Sequence, residues 1–459
     1  VRPDGKIDTT GGLYQTTDST DIQFAPHPSA MVFTKMDDQL VVACLGLPQG
    51  YGLRLQSSKP YVFSAFDFIV GEGAFPVCAG ETVETPTFFI GYCCNSDPHE
   101  GFKCYTRELV RRGDISSLDS QHAPDWWFAP YYGTWGDQVY FASTPGEGMN
   151  WGGGDTMGTG TAVRAAKTPQ NIFREALVDR ALEIIRDERL PIGIVGVDDG
   201  WQIGLGDWQP HPERVRDMRA LVERIHAAGL KAALWWVPFD IAPDAQLLHE
   251  HPEWFSPSEA PIAAKYRNVW QQPFLDYSNP RIQEEYLFPL LQRIFGQGAD
   301  DWNYDGLKLD FNALKIFPNM TFYDRDWHGE ECYLYRATRL IYQKIKEIRP
   351  DAWIMGCTAH PYFSMAQDFC RMYDIHNSDY RAHRERGRMV SALTVGNYLT
   401  YDFHFSRERF EGYLQQCQED GVAMQIGSLL GFPSGCIPLE ASDFDLMRRY
   451  LVPGLRRAT

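Results

Sequence analysis

From residue 121 to residue 459 short apolar runs alternate with longer amphipathic stretches, and no other feature of this chain limits its fold as tightly. The runs at 127–132, 192–197, 231–237, 306–311, 352–357, 369–375, 393–399 and 422–426 have the length and the β-branched or aromatic content of strands. The stretches at 170–187, 213–228, 281–295 and 331–349 carry apolar residues at three- and four-residue intervals, with Pro or Asp near their starts and Gly or Pro near their ends. Eight strands interleaved with helices predict an α/β fold, a (β/α)8 TIM barrel in preference to a doubly wound sheet. Ahead of it, 39–47, 51–55, 61–71 and 87–94 read as strands broken by Gly, Pro, Asp and Ser, followed by a helix at 99–112 and a polar linker at 113–123. The expected organisation is an antiparallel β-sandwich-like domain with its linker over residues 1–120, read as partial, and a barrel over 121–459.

A formal charge of -17 without any cationic block argues against a nucleic acid partner, and no apolar run reaches membrane-spanning length. The 13 Trp and 23 Tyr supply rings for stacking on flat ligands such as sugars. Ten cysteines without a C-x-x-C pair favour a reduced, cytoplasmic chain. The chain begins with Val rather than Met, so its amino terminus is read as incomplete and its compartment stays open. The run Gly152-Gly153-Gly154-Asp155 opens no immediate helix, which makes it a loop at the barrel mouth rather than a phosphate cradle. His360, His376, His383 and His404 form no H-x-H or H-x-x-x-H pair, so neither a metal nor a cofactor is expected.

Functional residues of a barrel belong at the carboxyl ends of its strands. In the run opened by Asp305-Gly306, alternation puts Lys308, Asp310 and Asn312 on one face, which makes Asp310 the first candidate for a catalytic carboxylate. A neighbouring ammonium would hold it ionised against burial; the plain alternative is a structural Lys308–Asp310 salt bridge. Asp198-Asp199-Gly200 ends the second strand, either as an ordinary turn or as two carboxylates converging on vicinal hydroxyls. Of Trp235 and Trp236, one indole is expected to pack between barrel and helices, leaving the other as a sugar platform. The fifth strand ends in Cys357-Thr358-Ala359-His360-Pro361 and the sixth in Asp374-Ile375-His376-Asn377-Ser378-Asp379. Such a mouth suits a polyhydroxylated ligand. A retaining glycosidase sets two carboxylates about 5–5.5 Å apart, one nucleophile and one acid/base. From the residues alone the second acid is Asp374 or Asp379.

The motifs Val197-Asp198-Asp199-Gly200-Trp201, Leu234-Trp235-Trp236-Val237-Pro238, Leu275-Asp276-Tyr277-Ser278-Asn279-Pro280, Lys308-Leu309-Asp310-Phe311-Asn312 and Asn377-Ser378-Asp379 occur in one order. In this the chain resembles glycoside hydrolase family 36, the α-galactosidases, over roughly residues 120–450. The resemblance implies that Asp310 is the nucleophile and Asp379 the acid/base. It implies further that Asp198 and Asp199 bind sugar hydroxyls, that Trp235, Lys308 and Asn312 contact substrate, and that Cys357 lies near the 2-substituent. His360 departs from the family pattern, standing where relatives carry glycine, beside the same 2-position. Val237 replaces a glutamate, Leu309 a tryptophan, and the family's carboxyl-terminal β-domain is not expected before Thr459.

The implied function is a retaining glycoside hydrolase that cleaves terminal α-linked galactose-type residues from oligosaccharides or glycoconjugates by double displacement. The same carboxylates would serve an α-N-acetylgalactosaminidase, an α-glucosidase or a raffinose-synthase-like transglycosylase. The other classes are a metal-dependent barrel enzyme and a non-catalytic carbohydrate-binding barrel. The partner expected is the oligosaccharide or glycoconjugate substrate, with neither nucleic acid nor membrane, and a homo-oligomer is left open.

Overall fold

All eight expected barrel strands form. The computed structural model describes residues 30–452 except 47–50, 60–61, 71–78, 83–86, 118–122, 148, 151–167, 243–244, 257–273, 311–321, 328–329, 373–379 and 402–404. Barrel strands 1 to 8 are Tyr131–Gly133, Ile194–Val197, Lys231–Trp236, Gly306–Leu309, Trp353–Gly356, Phe369–Arg371, Tyr398–Thr400 and Gln425–Ile426. Each pairs in parallel with the next from strand 1 to strand 7, and strand 8 pairs with strand 1. A parallel bridge between Thr400 and Ala423 joins strands 7 and 8, which closes the sheet. Both faces of these strands are buried, which is why they read as continuous apolar runs.

Register decides how the interior is filled. Gly133 pairs with Gly196, Gly196 with Ala233, Ala233 with Gly306 and Gly306 with Trp353, so four neighbouring strands offer almost no side chain at that level. Two rings take the space: Tyr131 stacks on Trp353 with centroids 5.5 Å apart and planes at 24°. A Cβ on Gly196 would stand 1.9 Å from the Tyr131 hydroxyl and one on Gly133 2.9 Å from its ring, so both positions exclude any larger residue. Below them Phe128, Phe369 and Tyr398 complete an aromatic plug.

The helices cover the outside. Leu177, Val178, Ala181, Ile184 and Ile185 form the buried stripe of Glu175–Asp187. Asp217 caps Met218–Ala227 by accepting the Ala220 N–H. The helix opened by Asn279 widens into a π turn at Gln283–Leu287 before Phe288–Phe295. Pro289 has no N–H to give the Glu285 carbonyl, and that missing bond accounts for the wide turn.

Several boundaries differ from expectation. Asp125–Phe128 is a 3-10 turn, so strand 1 starts only at Tyr131. The stretch 170–187 is broken into Pro169–Ile172 and Glu175–Asp187. Leu393 ends a helix, Tyr380–Leu393, instead of beginning strand 7. That helix is rich in Arg and Gly-interrupted, which hides its period.

At the front, Ala30–Lys35, Asp38–Leu45 and Thr87–Cys94 form a three-stranded antiparallel sheet, and Tyr51–Lys59 pairs with Val62–Val70 in a separate ribbon. The first of these strands was not expected. Helix Glu100–Arg112 lies between sheet and barrel: Tyr105 Oη donates to the Cys44 carbonyl at 2.8 Å and Thr106 Oγ1 to the Ala392 carbonyl at 3.1 Å.

Candidate active site

Alternation carries the inward rows from the aromatic plug to the carboxyl ends of the strands. Two residues beyond Gly196 comes Asp198, two beyond Ala233 comes Trp235, and two beyond Gly306 come Lys308 and then Asp310. On strands 5 and 6, Cys357 and Arg371 follow Met355 and Phe369 in the same way. These side chains converge on one end of the barrel.

Lys308 Nζ donates to Asp198 Oδ2 at 2.8 Å, with side chains only 4% and 2% exposed. Asp198 Oδ1 also accepts the Asp199 N–H at 3.0 Å, and the Asp198 N–H donates to Thr134 Oγ1 at 3.0 Å. Lys308, expected beside Asp310, is thus bonded to Asp198. Lys308 and Asp310 lie on one face of strand 4, but the stagger of a closed barrel swings the long ammonium toward strand 2.

Asp310 takes its donors from elsewhere. Trp235 Nε1–H donates to Oδ2 at 3.0 Å and Arg371 Nη2–H to Oδ1 at 3.0 Å, one from strand 3 and one from strand 6. Arg371 is 3% exposed and Asp310 13%. Sequence reasoning missed Arg371, which sits inside a run read only as a strand. Its parity with Phe369 was the available signal, because a guanidinium on an inward face requires a buried anion.

Tyr131 reaches this cluster from below. Burial pushes its phenol well above the ordinary value, the charges of Asp198 and Asp310 add to the rise, and Arg371 opposes it. Asp199 accepts from Gln202 Nε2 at 2.7 Å and from Gln170 Nε2 at 3.0 Å. Burial raises its carboxyl to about 6, those amides working against the rise and the charge of Asp198 adding to it. Gly200 turns the chain with φ +110°, where a Cβ would lie 2.5 Å from the Gln170 carbonyl oxygen. The Asp-Asp-Gly segment is thus a turn, and it also stands at the barrel mouth.

Of the paired indoles, Trp236 packs outward against Trp208 at 6.1 Å and 75°. Trp235 is 2% exposed, and its N–H is engaged by Asp310. Cys357 is a buried thiol on the inward row. His360 is buried against Tyr362 and Phe363, and its Nδ1 accepts the Tyr362 N–H at 3.3 Å. Burial lowers its pKa to about 3, so the ring is neutral. Asn312, Asp374, Asp379, His376, His404 and the glycine run at 152–160 lie outside the described residues.

Known proteins resemble this chain in sequence and fold. A family model described as Melibiase matches residues 178–359, which hold Asp198, Asp199, Trp235, Lys308, Asp310 and Cys357. An "A type blood alpha-D-galactosamine galactosaminidase" of Flavonifractor plautii is 30% identical over 137 residues, 27% of this chain and 12% of that protein. The bifunctional alpha-galactosidase/sucrose kinase AgaSK of Mediterraneibacter gnavus is 30% identical over 146 residues, 30% of this chain and 14% of that one. The match thus spans under a sixth of either relative's length. Among solved structures, TtGalA, an alpha-galactosidase from Thermus thermophilus in complex with stachyose, is similar with a TM-score of 0.54 and 18% identity over 91% of this chain and 78% of that one. The family 36 alpha-galactosidase AgaA from Geobacillus stearothermophilus has a TM-score of 0.59 and 13% identity over 92% and 54%. At such identities the likeness establishes the fold.

Proposed function

We propose, from the match of the Melibiase family model to residues 178–359, that this chain is a retaining glycosidase removing terminal α-linked galactose-type residues from oligosaccharides or glycoconjugates. The catalytic unit is the barrel of residues 121–459, behind a separate antiparallel domain over 1–120. One observation carries the reading: Asp310, at the carboxyl end of strand 4, has a donor on each of its two oxygens. A carboxylate so placed is kept charged and aimed, which is what a nucleophile needs.

Asp310 attacks the anomeric carbon while Asp379, given this role by the family resemblance, protonates the departing oxygen. Asp379 then takes a proton from water, which displaces Asp310 and restores the original anomeric configuration. Asp198, fixed by Lys308, and Asp199, held by two amides, are assigned to the sugar hydroxyls, and the family resemblance adds Asn312, Cys357 and His360 as substrate-binding residues. The scheme draws on no metal or organic cofactor.

A second reading, an amino-sugar substrate, is favoured by the Flavonifractor relative being named a galactosaminidase. Turnover of p-nitrophenyl α-galactoside, α-galactosaminide and α-N-acetylgalactosaminide separates the two. Asp310→Asn is expected to cost roughly four orders of magnitude in kcat with an unchanged circular dichroism spectrum. Full activity in that variant, or a product of inverted configuration, refutes the mechanism.

A further inference from the structure

Lys308 is the residue that sequence puts beside the nucleophile, yet it is bound to Asp198. A cation in direct contact with Asp310 comes from strand 6. We propose that Arg371 is the positioning residue of the nucleophile: its guanidinium fixes the plane of the Asp310 carboxylate and supplies a countercharge in direct contact with it. The inference rests on the glycosidase reading given above.

The argument from geometry has three parts. Arg371 follows Phe369 on the inward row of strand 6, and to reach Asp310 on strand 4 it crosses above the row of Cys357 on strand 5. A guanidinium sealed to 3% exposure is stable only against a buried anion, and Asp310 provides one at 3.0 Å. Its bond goes to Oδ1 while the Trp235 indole takes Oδ2, so neither rotation nor tilt of the carboxylate is free. Among the described residues, Arg371, the Lys308–Asp198 pair, the Cys357 thiol and the Tyr131 phenol are the charged and titratable groups of this cluster. Within that set Arg371 donates to the nucleophile at 3.0 Å.

The consequence differs between the two halves of the reaction. In the first, an Asp310 oxygen bonds to the anomeric carbon as the bond to the departing oxygen breaks, and Asp379 gives that oxygen its proton. The carboxylate charge disappears into an ester. In the second, water oxygen bonds to the anomeric carbon, its proton passes to Asp379, and the ester bond breaks with the electron pair returning to Asp310. Arg371 meets the returning charge, so it favours departure of Asp310 over its attack.

The test compares wild type, Arg371→Met, Arg371→Lys and Asp310→Asn on p-nitrophenyl α-galactoside, with thermal melts to confirm folding. Arg371→Met is expected to lower kcat about 10- to 100-fold, the range for a lost charge-assisted hydrogen bond. It should also move the acid limb of kcat/KM to higher pH and produce a burst of nitrophenol as glycosyl-enzyme accumulates. Arg371→Lys restores the limb but only part of kcat, because an ammonium brings the charge without the planar fork. Loss of kcat with an unmoved limb and no burst would make Arg371 merely structural and overturn the proposal, as would wild-type behaviour in Arg371→Met. An inactive wild type, or a fully active Asp310→Asn, sinks the glycosidase reading instead. The Asp310 carboxyl titration, read by infrared difference between wild type and Asp310→Asn, then decides the pairing: a midpoint unchanged by Arg371→Met rejects it.

Discussion

Replacing Lys308 by Met tests the internal wiring of the site. Met keeps most of the apolar stem, so the packing change is small and the loss is mainly electrostatic. Lys308 and Asp198 are 4% and 2% exposed at 2.8 Å, so solvent screens neither partner. Without the ammonium, Asp198 retains the Asp199 amide on Oδ1, while its other oxygen loses the donor now bound to it. Breaking a buried pair from one side costs about 3–5 kcal/mol, and the retained amide places this case near ~3, roughly a hundredfold or more in the unfolding equilibrium. Asp198→Asn should cost less, and Lys308→Met with Asp198→Asn should cost less than the sum, leaving a coupling of about 2 kcal/mol. Urea unfolding followed by tryptophan fluorescence measures all four corners of the cycle. The same cycle with Asp310→Asn in place of Asp198→Asn should show a smaller coupling, because Lys308 is hydrogen-bonded to Asp198. Coupling to Asp310 rather than to Asp198 would refute the pairing and reinstate the arrangement that sequence alone suggests.

Two further outcomes follow from other contacts. Gly196→Ala puts a Cβ 1.9 Å from the Tyr131 hydroxyl, so it should cost about 1–3 kcal/mol, and Tyr131→Phe in the same chain should recover most of it. A neutral Gly196→Ala in thermal melts would show that the ring does not cross strand 2. Asp305, at the opposite end of strand 4, accepts from His226 at 2.7 Å, from Lys231 at 3.0 Å and from the Ala232 N–H at 2.9 Å. Burial opposes its ionisation, but these donors prevail and hold the carboxyl below its ordinary range. Its folded pKa being depressed, its stabilisation is complete above the unfolded aspartate value near ~4 and is lost as pH falls through the folded one. Asp305→Asn should therefore cost ~2–4 kcal/mol at neutral pH and flatten the stability profile below about pH 4; parallel profiles for both chains would contradict it.

Much of the barrel was legible because parallel strands buried on both faces leave apolar runs, and eight of these survive in the structure at their expected places. Boundaries were less so. Trp126 and Trp127 have strand-like composition but sit in a 3-10 turn, where Trp127 Nε1–H donates to the Asp351 carbonyl. The site was half legible for a geometric reason. Alternation says which side chains share a face, and it placed Lys308 and Asp310 correctly on the inward row. It says nothing about which neighbour a long side chain meets, since that depends on strand stagger around the closed sheet. Lys308 therefore found Asp198, 110 positions away, and Asp310 found Arg371, 61 positions away. No local pattern encodes either meeting.

The phenol of Tyr131 stands in room that its neighbours on strands 1 and 2 vacate, and from there it faces the charges of Asp198 and Asp310. The described groups assigned to the ligand under the proposed function hang from the ends of strands 2 to 5, whereas the backbone of Tyr131 starts a full layer lower on strand 1. On the proposed function, exchanging that ring for a smaller side chain would open space beneath the carboxylates while Trp235 and Arg371 still anchor Asp310, so the room beneath a ligand and the aim of the nucleophile can vary separately.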